Sequence, residues 1–305
     1  MPGLMTTVQD LGREGFGAMG VSPAGAADPV SLRIGNRLLG NVEGAAALEA
    51  TLVGGAFRFG VDTWVALTGS DFAATLDNAP LANWAVHRVA KGQVLRMEST
   101  RSGARCYLCV SGGIDVPRTL GSASTHVLSG LGGFKGRALR RGDVLQLGPR
   151  RSPPARRLNP RMAPNFAPRP RLRVTQGLQF DWFTEASRGT FFDTTYRVAE
   201  ASNRMGLRLE GKGVEFRVHS EMITSGVPLG AVQVPAGGQP VIVFVEQQTT
   251  GGYPVIGNVI AADLASVGQL RPRDVVEFEL VSHQSARSLF LQQESSLESE
   301  DLLVS

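Results

Sequence analysis

Residues 48–59 read LEATLVGGAFRF, and residues 207–218 read LRLEGKGVEFRV. Each stretch has an apolar run, a glycine-containing turn and a second run that combines phenylalanine with arginine. Short apolar runs separated by glycine turns predict paired β-strands. The similarity of two such distant stretches predicts that one β unit occurs twice in the chain.

Two further pairs of segments match in the same order. Residues 106–121 (CYLCVSGGIDVPRTLG) resemble residues 241–257 (VIVFVEQQTTGGYPVIG), and residues 136–147 (GRALRRGDVLQL) resemble residues 268–280 (GQLRPRDVVEFEL). The repeat is too long for a short-period solenoid. We therefore predict a mainly β fold, with two β-barrel domains in tandem and a few short helices.

The segment between the two copies, residues 149–171, is rich in proline and arginine. This composition is typical of an extended connector. We therefore predict an N-terminal domain over 1–148, a linker over 149–171 and a C-terminal domain over 172–290. Residues 291–305 carry acids and no base, and they predict a frayed acidic tail. One helix is expected to begin after Asp28, with Pro29 at its first position.

The net charge of +4 comes from one stretch of the chain. Residues 150–173 hold eight arginines and no acid, so the rest of the chain has a net charge of −4. The stretch indicates a solvated linker or, alternatively, an arginine-rich arm that contacts phosphates or an acidic partner. Because no basic face remains elsewhere, we expect no nucleic-acid partner.

Signals for membranes and export are not found in the sequence. No run of about 18 apolar residues occurs, and the first residues lack a basic region followed by an apolar block. The chain has two cysteines. We therefore expect a reducing cytoplasm and no membrane partner.

Common catalytic and metal-binding motifs do not occur either. Cys106 and Cys109 have C-x-x-C spacing, but in a strand such positions face opposite sides and cannot converge on a metal. The four histidines are scattered, and the sequence has no P-loop and no G-x-S-x-G element. The glycine-rich residues 129–137 are either a flexible connection or a backbone cradle for an anion. We predict no metal site built by these motifs.

Polar, glycine-rich blocks cover residues 7–29, 201–211 and 230–259. In the third block a predicted strand leads into Glu246, two glutamines and two threonines, followed by a Gly-Gly-Tyr-Pro loop. Amides and hydroxyls on a rigid strand end suit a neutral polar ligand with C=O and N–H groups. The alternative is a polar barrel rim with tight turns.

These blocks carry a resemblance that extends from Thr6 to Glu279. The chain resembles the carboxyltransferase/allophanate hydrolase subunit 2 family, which includes the C subunit of 5-oxoprolinase and KipA-type proteins. The matching motifs are TVQDLGR (7–13), GVSPAGAAD (20–28), Asn36…Asn41…Ala47-Leu48-Glu49, ALTGSD (66–71), Gly112-Gly113-Ile114-Asp115, NRMGLRL (203–209) and QTTGGYP (248–254).

The resemblance implies that both barrels are cyclophilin-like, which agrees with the repeat. It implies a KipI-type (allophanate hydrolase subunit 1) partner. Together with a LamB/YcsF-type subunit, the pair would form an ATP-dependent 5-oxoprolinase, which opens 5-oxo-L-proline to L-glutamate. Two alternatives remain: a biotin-dependent carboxyltransferase of the urea carboxylase type, and a KipA-like antagonist of a kinase inhibitor without catalysis.

The implied cofactors differ between these functions. A 5-oxoprolinase needs ATP, which we expect to be bound with the partner subunit, together with Mg²⁺. Biotin belongs only to the carboxyltransferase alternative. Because the chain has no P-loop and no evident nucleophile, we do not expect it to open a lactam without its partners.

Opening a lactam requires the substrate to be held in register with the activating group. Arg204 is the candidate for the substrate carboxylate or a phosphate, because its planar guanidinium binds either one bidentately; a structural salt bridge is its alternative role. Asp10 and Asp28 are candidates for acid/base chemistry or metal coordination. The candidates for substrate binding are Asn203, Gln233, Gln239, Gln248, Thr249 and Tyr253.

The chain departs from the family pattern at one of these positions, 203, and at the neighbouring position 247. An acid is common at position 203 and an arginine at position 247, where this chain has Asn203 and Gln247. An amide at both positions can hydrogen-bond without charge. We interpret the two changes together as the loss of an ion pair.

Overall fold

Short apolar runs bounded by glycine, proline and asparagine give the chain many short strands and few helices. The computed structural model describes residues 1–149, 152–164, 166, 171–218 and 222–305. The chain divides into two units. Unit 1 consists of Met1–Arg13, Ala24–Phe166 and Ser296–Ser305, and unit 2 consists of Glu14–Pro23 and Ala167–Ser295.

Unit 1 contains antiparallel sheets. Its strands are β1 Met5–Gln9, β2 Ala47–Thr51, β3 Ala56–Arg58, β4 Thr63–Gly69, β5 Thr75–Leu76, β6 Ala79–Pro80, β7 Val86–Val89, β8 Val94–Arg96, β9 Arg105–Val110, β10 Ile114–Asp115, β11 Gln146–Leu147, β12 Arg157–Leu158 and, near the C-terminus, β22 Leu303–Val304. A five-stranded sheet has the order β1-β2-β9-β4-β7, and a four-stranded sheet has the order β3-β8-β5-β6. The pairs β10–β11 and β12–β22 form separate ribbons.

Helix α1, Pro29–Leu38, packs on the five-stranded sheet of unit 1. It begins as the sequence predicts, because Asp28 accepts a hydrogen bond from the Ser31 N–H and Pro29 occupies the first helical position. The apolar face of α1 packs in one core cluster with Ala47, Ala66 and Cys109 of the sheet. The alternate positions of the same strands face a second cluster that includes residues of the four-stranded sheet.

Unit 2 contains a closed barrel of seven strands, with the order β13-β20-β17-β18-β15-β14-β21. The strands of unit 2 are β13 Arg171–Gln176, β14 Tyr196–Val198, β15 Gly206–Glu210, β16 Ser225–Gly226, β17 Ala231–Gln233, β18 Val241–Val243, β19 Thr250–Gly251, β20 Val255–Val259 and β21 Val275–Leu280. The barrel closes through a parallel pairing of β13 with β21. The short strands β16 and β19 form a ribbon of their own.

The other helices are α2 Glu185–Asp193, α3 Leu264–Gly268 and α4 His283–Glu298. Short 3-10 helices lie at Gly17–Met19, Pro160–Met162, Phe180–Trp182, Ala261–Asp263 and Glu300–Leu302. Helix α2 packs on β21, where the ring of Phe191 stacks on that of Phe278 at 4.5 Å between centroids. The prediction of a mainly β fold with a few short helices is therefore confirmed.

The internal repeat is visible in the strand pairing. The segments at 48–59 and 106–121 supply β2 and β9, which pair antiparallel with Leu48 opposite Leu108. Their counterparts supply β15 and β18, which pair antiparallel with Leu207 opposite Ile242. The same two segments of each copy are therefore neighbours in the sheets of unit 1 and in the barrel of unit 2.

The third matched pair of segments forms the same turn in both units. The backbone N–H of Arg140 donates to a carboxylate oxygen of Asp143 at 2.6 Å, and the Asp143 N–H donates back to the Arg140 carbonyl. Arg271 and Asp274 make the equivalent two bonds in unit 2. This shared Arg-x-x-Asp turn leads into β21 in unit 2, but only into the short β11 in unit 1.

The structure differs from the predicted linker and tail. Part of segment 149–171 is structured, because Arg157 and Leu158 form β12 and Leu158 is buried in the core of unit 1. Residues 150–151, 165 and 167–170 lie outside the described residues. The C-terminal residues form the end of α4 and then β22, which pairs with β12, and Leu297 and Leu302 are buried. The buried apolar side chains of this acidic stretch thus hold it in the core of unit 1.

The two cysteines lie as the strand alternation predicts. Cys106 and Cys109 are free and buried, and they belong to the two different core clusters on either side of β9. They do not converge on a shared site. In the described part of the chain, no helix combines the length and apolar character needed to cross a membrane.

Candidate functional site

A cavity lies on the outer side of the barrel in unit 2, over β15, β18 and β17. In β15 the residues alternate, so that Leu207 and Leu209 are buried while Arg208 is exposed. Arg208 lies opposite Val241 of β18, and Val241 lies opposite Gln233 of β17. The alternation therefore brings Arg208, Val241 and Gln233 side by side on the outer face.

This space, called the barrel cavity below, measures about 270 Å³. The turn before β15 and the loop around β19 complete it. Its walls combine amides, hydroxyls, an arginine and small apolar side chains. They are formed by Asn203, Met205, Gly206, Arg208, Val227, Gln233, Pro235, Val241, Val243, Gln248, Thr250 and Tyr253.

Gln233 contributes a buried hydrogen-bond donor to the wall of the barrel cavity. Its Nε2 is buried and has no hydrogen-bond partner in the described part of the chain. A buried amide N–H without a partner costs free energy, so it signals a missing acceptor. A ligand carbonyl placed in the cavity would supply one.

Arg208 supplies a positive charge to the barrel cavity, although the sequence reasoning did not select it. It is exposed, and within the described residues no carboxylate pairs with its guanidinium. It lies in the same NRMGLRL motif as Arg204. The strand alternation of residues 206–210 was the signal that could have identified it.

Arg204, which the sequence motif favoured as the ligand-binding arginine, lies in a buried ion pair. Its Nε donates to Glu246 Oε1 at 2.5 Å, and both side chains are only 4% exposed. The backbone N–H of Glu246 also donates to the Arg204 carbonyl. Arg204 is not among the residues lining the barrel cavity. The pair instead ties the turn before β15 to the chain after β18, and both of these segments contribute residues to the cavity wall.

The other predicted substrate-binding residues divide into two groups. Asn203, Gln248 and Tyr253 line the barrel cavity together with Gln233. Gln239 does not, because its amide makes two hydrogen bonds to the backbone of Gly211. At Thr249 the backbone carbonyl accepts from the Val227 N–H, and the next residue, Thr250, lines the cavity instead.

The two departures from the family pattern do not contact each other by a hydrogen bond in the described residues. Asn203 Oδ1 accepts from the Met205 N–H at 2.8 Å and so closes the turn before β15. Gln247 Nε2 donates to the Val227 carbonyl at 3.1 Å. Each amide therefore supports its own loop of the cavity wall.

Asp10 lies in unit 1, and its carboxylate is saturated by hydrogen bonds. It accepts from the Gly12 N–H, the Ala123 N–H and the hydroxyls of Ser122 and Ser124, at 2.5–2.8 Å. These bonds join the TVQDLGR motif to residues 122–124. The structure therefore gives Asp10 a role in joining these two segments, and its acid/base or metal-binding role stays a prediction.

Asp28 of unit 1, like Asp10, is buried and hydrogen-bonded to neighbouring segments. Its carboxylate caps α1 by accepting from the Ser31 N–H and hydroxyl, and its own N–H donates to the Tyr107 hydroxyl at 2.8 Å. Tyr107 in turn donates to Glu49 at 2.6 Å. Burial and the nearby Glu49 carboxylate raise the pKa of Tyr107 well above its usual value. The GVSPAGAAD motif and Glu49 thus form one buried network.

Acidic and metal-binding groups are scarce in the site. Every residue lining the barrel cavity is neutral or, at Arg208, cationic. No cluster of three or more His, Cys, Asp or Glu suited to a metal ion occurs among residues 1–149, 152–164, 166, 171–218 and 222–305. The donor set therefore suits a small ligand with a carboxylate and carbonyl groups rather than a resident metal ion.

The family model described as carboxyltransferase domain, subdomain A and B, matches residues 19–280. The chain belongs to this carboxyltransferase-domain family. It is 38% identical to the Haemophilus influenzae protein named as the C subunit of 5-oxoprolinase, over 93% of this chain and 90% of that protein. It is 40% identical to the Escherichia coli protein of the same name, over 93% of this chain and 91% of that protein.

One solved structure shares the fold of the present chain, and the match covers nearly the whole length of this chain. The crystal structure of the K. lactis urea amidolyase matches with a TM-score of 0.93 and 32% identity. The match covers 99% of this chain and 20% of that larger chain. The resemblance seen in the sequence motifs is therefore confirmed.

Proposed function

We propose that this chain is the C subunit of an ATP-dependent 5-oxoprolinase, which opens 5-oxo-L-proline to L-glutamate. We propose that it works in the cytoplasm with a KipI-type subunit and a LamB/YcsF-type subunit. Support comes from the two relatives with this name, which match over at least 90% of both chains. The observation that carries the proposal is the barrel cavity, which is lined by the exposed Arg208 and by Gln233, whose buried amide donor has no partner in the described residues.

The substrate offers a carboxylate and a lactam, and the cavity offers a complement to each. Arg208 binds the carboxylate through a charge-assisted pair. Gln233 Nε2 donates to the lactam carbonyl. Asn203, Gln248 and Thr250 line the same space and contact the ring's remaining polar edge, while Tyr253 forms a wall. The Arg204–Glu246 pair positions these segments without contacting the substrate.

The barrel cavity fits the lactam but not the nucleotide. Sites for drug-sized ligands measure about 300–1,000 Å³, and this cavity, at about 270 Å³, is below that range. Its walls carry no carboxylate for Mg²⁺. We therefore assign ATP and Mg²⁺ to the partner subunits. ATP supplies phosphoryl activation of the lactam carbonyl when it is bound.

The same observation explains the need for partners. The cavity wall contains no histidine, cysteine, lysine, aspartate or glutamate, and among the side chains used in general acid/base or nucleophilic catalysis it offers the hydroxyls of Thr250 and Tyr253. This chain can position the lactam, but the wall holds no base next to these hydroxyls to activate them, so the partner subunits supply the reacting groups. This composition is consistent with a subunit that binds and orients the substrate and leaves the chemical step to its partners.

Reconstitution tests the proposal. The chain alone, each pair of subunits and the complete three-subunit mixture are assayed for L-glutamate formation and for ATP hydrolysis that depends on 5-oxo-L-proline. We expect both activities in the complete mixture and neither with this chain alone. A complete mixture that assembles tightly and remains inactive would overturn the proposal and favour a KipA-like antagonist.

A biotin-dependent carboxyltransferase is the second candidate, because of the match to the urea amidolyase structure. The ureido ring of biotin also presents a C=O and N–H groups, which the amides of the barrel cavity can contact. This function predicts carboxyl transfer from carboxybiotin to urea or a related amide. Transfer by the chain with its KipI-type partner, in the absence of any 5-oxoprolinase activity, would establish it.

A further inference from the structure

A second cavity lies in unit 1, where β4 ends and the chain turns into the β5–β6 hairpin. This hairpin cavity measures about 470 Å³, within the range of small-molecule sites. Its wall includes Asp71, Leu81, Asn83, Trp84 and Arg101. Asp71 ends the ALTGSD motif of the sequence, which the proposed function does not use.

One acid and one base face the hairpin cavity as a pair. Arg101 Nη1 lies 3.1 Å from Asp71 Oδ2, and the Arg101 N–H donates to the Asp71 carbonyl at 2.9 Å. The side chains are 70% and 46% exposed. An ion pair as exposed as this contributes little to stability, about 0–1 kcal/mol. A ligand can therefore replace the side-chain contact while the backbone bond keeps both residues in place.

The rest of the wall is largely apolar, and its backbone is strained. Trp84 has φ of +61°, a conformation that is rare for a bulky residue. It is held there because its N–H donates to Leu67 and its carbonyl accepts from Leu158, each at 2.7 Å. Strain maintained in this way is concentrated at functional sites. Trp84 and Leu81, which pack against two different core clusters, both line the cavity.

We propose that the hairpin cavity binds an α-amino acid with an apolar side chain. The ammonium group of the ligand pairs with Asp71, and its carboxylate pairs with Arg101. The two charges of the ligand and the two side-chain charges then sum to zero. The side chain packs on Trp84, Leu81 and the neighbouring alanines. This site is separate from the barrel cavity and does not depend on the 5-oxoprolinase proposal.

Calorimetric titration of the full chain with L-leucine tests the site. Two analogues complete the set: 4-methylpentanoate, which lacks the ammonium group, and 3-methylbutylamine, which lacks the carboxylate. We expect saturable binding of L-leucine, and at least about tenfold weaker binding of each analogue, because each loses one charge-assisted contact. Equal affinity for either analogue, or no saturable binding of L-leucine, would overturn the proposal.

Variants separate this site from a general charge effect. Arg101→Gln and Asp71→Asn should each weaken L-leucine binding at least about tenfold, with little change in melting temperature. The control is Arg88→Gln, which breaks another exposed ion pair of unit 1, with Asp62, outside the cavity. Unchanged affinity in Arg101→Gln, or an equal loss in Arg88→Gln, would contradict the assignment.

Two further ligands test the specificity. L-glutamate places a second carboxylate against the apolar wall, and 5-oxo-L-proline has no ammonium group. Both should bind the hairpin cavity more weakly than L-leucine does. Tighter binding of either one that is lost in Arg101→Gln would show that the cavity serves a different class of ligand.

Discussion

The Arg204–Glu246 pair shows how burial fixes the role of a charged side chain. Both groups are buried, so removing one charge leaves the other without its partner in a poorly solvated place. We expect Arg204→Ala to lower the free energy of unfolding by about 3–5 kcal/mol. Chemical denaturation of the isolated chain measures it.

A double variant separates the charge effect from lost packing. Arg204→Met combined with Glu246→Leu removes both charges and keeps the volume, so it should cost less than Arg204→Ala alone. If the double variant is at least as unstable as the single one, the pair does not act through buried charge.

Gly251 lies against the side chain of Gln233. A Cβ at this glycine would lie 2.7 Å from Gln233 Nε2 and 2.9 Å from a methyl carbon of Val227. The Gln233 amide is the end of a flexible side chain, but Val227 is buried and stiff, so Gly251→Ala should cost about 1–3 kcal/mol of stability. It should nevertheless raise the KM of the reconstituted enzyme for 5-oxo-L-proline, because the displaced amide no longer meets the lactam carbonyl.

The neighbouring glycine provides the matched control for this prediction. At Gly252 an added Cβ would have its closest contact at 3.7 Å, with the Thr224 hydroxyl. Gly252→Ala should therefore leave KM unchanged. An equal rise of KM in both variants would show that the loop tolerates no alanine and that Gln233 is not the cause.

Strand β9 places the two cysteines of the C-x-x-C spacing in separate buried environments. Burial raises the pKa of Cys109 to about 12, and burial together with the neighbouring Cys109 raises the pKa of Cys106 still further. Because the thiolate is the reactive form, we expect neither cysteine to react with iodoacetamide in the native chain. Mass spectrometry should find both alkylated in denaturant; rapid modification of either one in the native chain would contradict the burial of β9.

The Arg-x-x-Asp turn before β11 makes a pH-dependent contribution to stability. Hydrogen bonds from the Arg137 guanidinium, and from the Arg140 N–H, hold the pKa of Asp143 well below its usual value. A lowered pKa means that the stabilisation is present above the unfolded-state pKa, about 3.9, and is lost as the pH falls through the folded-state value.

The measurement is a comparison of wild type and Asp143→Asn across pH. The wild type should be more stable by a constant amount above about pH 5, and the difference should shrink below about pH 4. A difference that does not change down to about pH 2 would show that the ionised carboxylate contributes nothing.

The fold could be predicted from the sequence to a large extent, because its cues are local. The N-cap at Asp28 and the paired segments at 48–59 and 207–218 fix elements through contacts with near neighbours or through a repeated pattern. Helix α4 could not be predicted in this way. Its single buried residue, Leu297, gives it almost no apolar periodicity, and its end is held by contacts with residues that are distant in sequence.

The candidate site was only partly predictable for a related reason. The motifs identify the segments that form the candidate site. Four of the predicted residues line one cavity: Asn203, Gln233, Gln248 and Tyr253. Whether a motif residue meets the ligand or supports the fold depends on which way its side chain faces. Arg204 precedes β15 and is buried against Glu246, whereas Arg208, within β15, faces outward.

The most direct test of the central claim is the kcat/KM of the reconstituted three-subunit enzyme for 5-oxo-L-proline, with Arg208→Gln in this chain. Arg197→Gln is the control, because Arg197 is also an exposed arginine on a barrel strand but lies outside the cavity. Loss of the carboxylate contact should lower kcat/KM at least about tenfold, or about 1.4 kcal/mol, in Arg208→Gln, with no change in Arg197→Gln. If Arg208→Gln retains the wild-type kcat/KM, the barrel cavity is not the binding site for 5-oxo-L-proline.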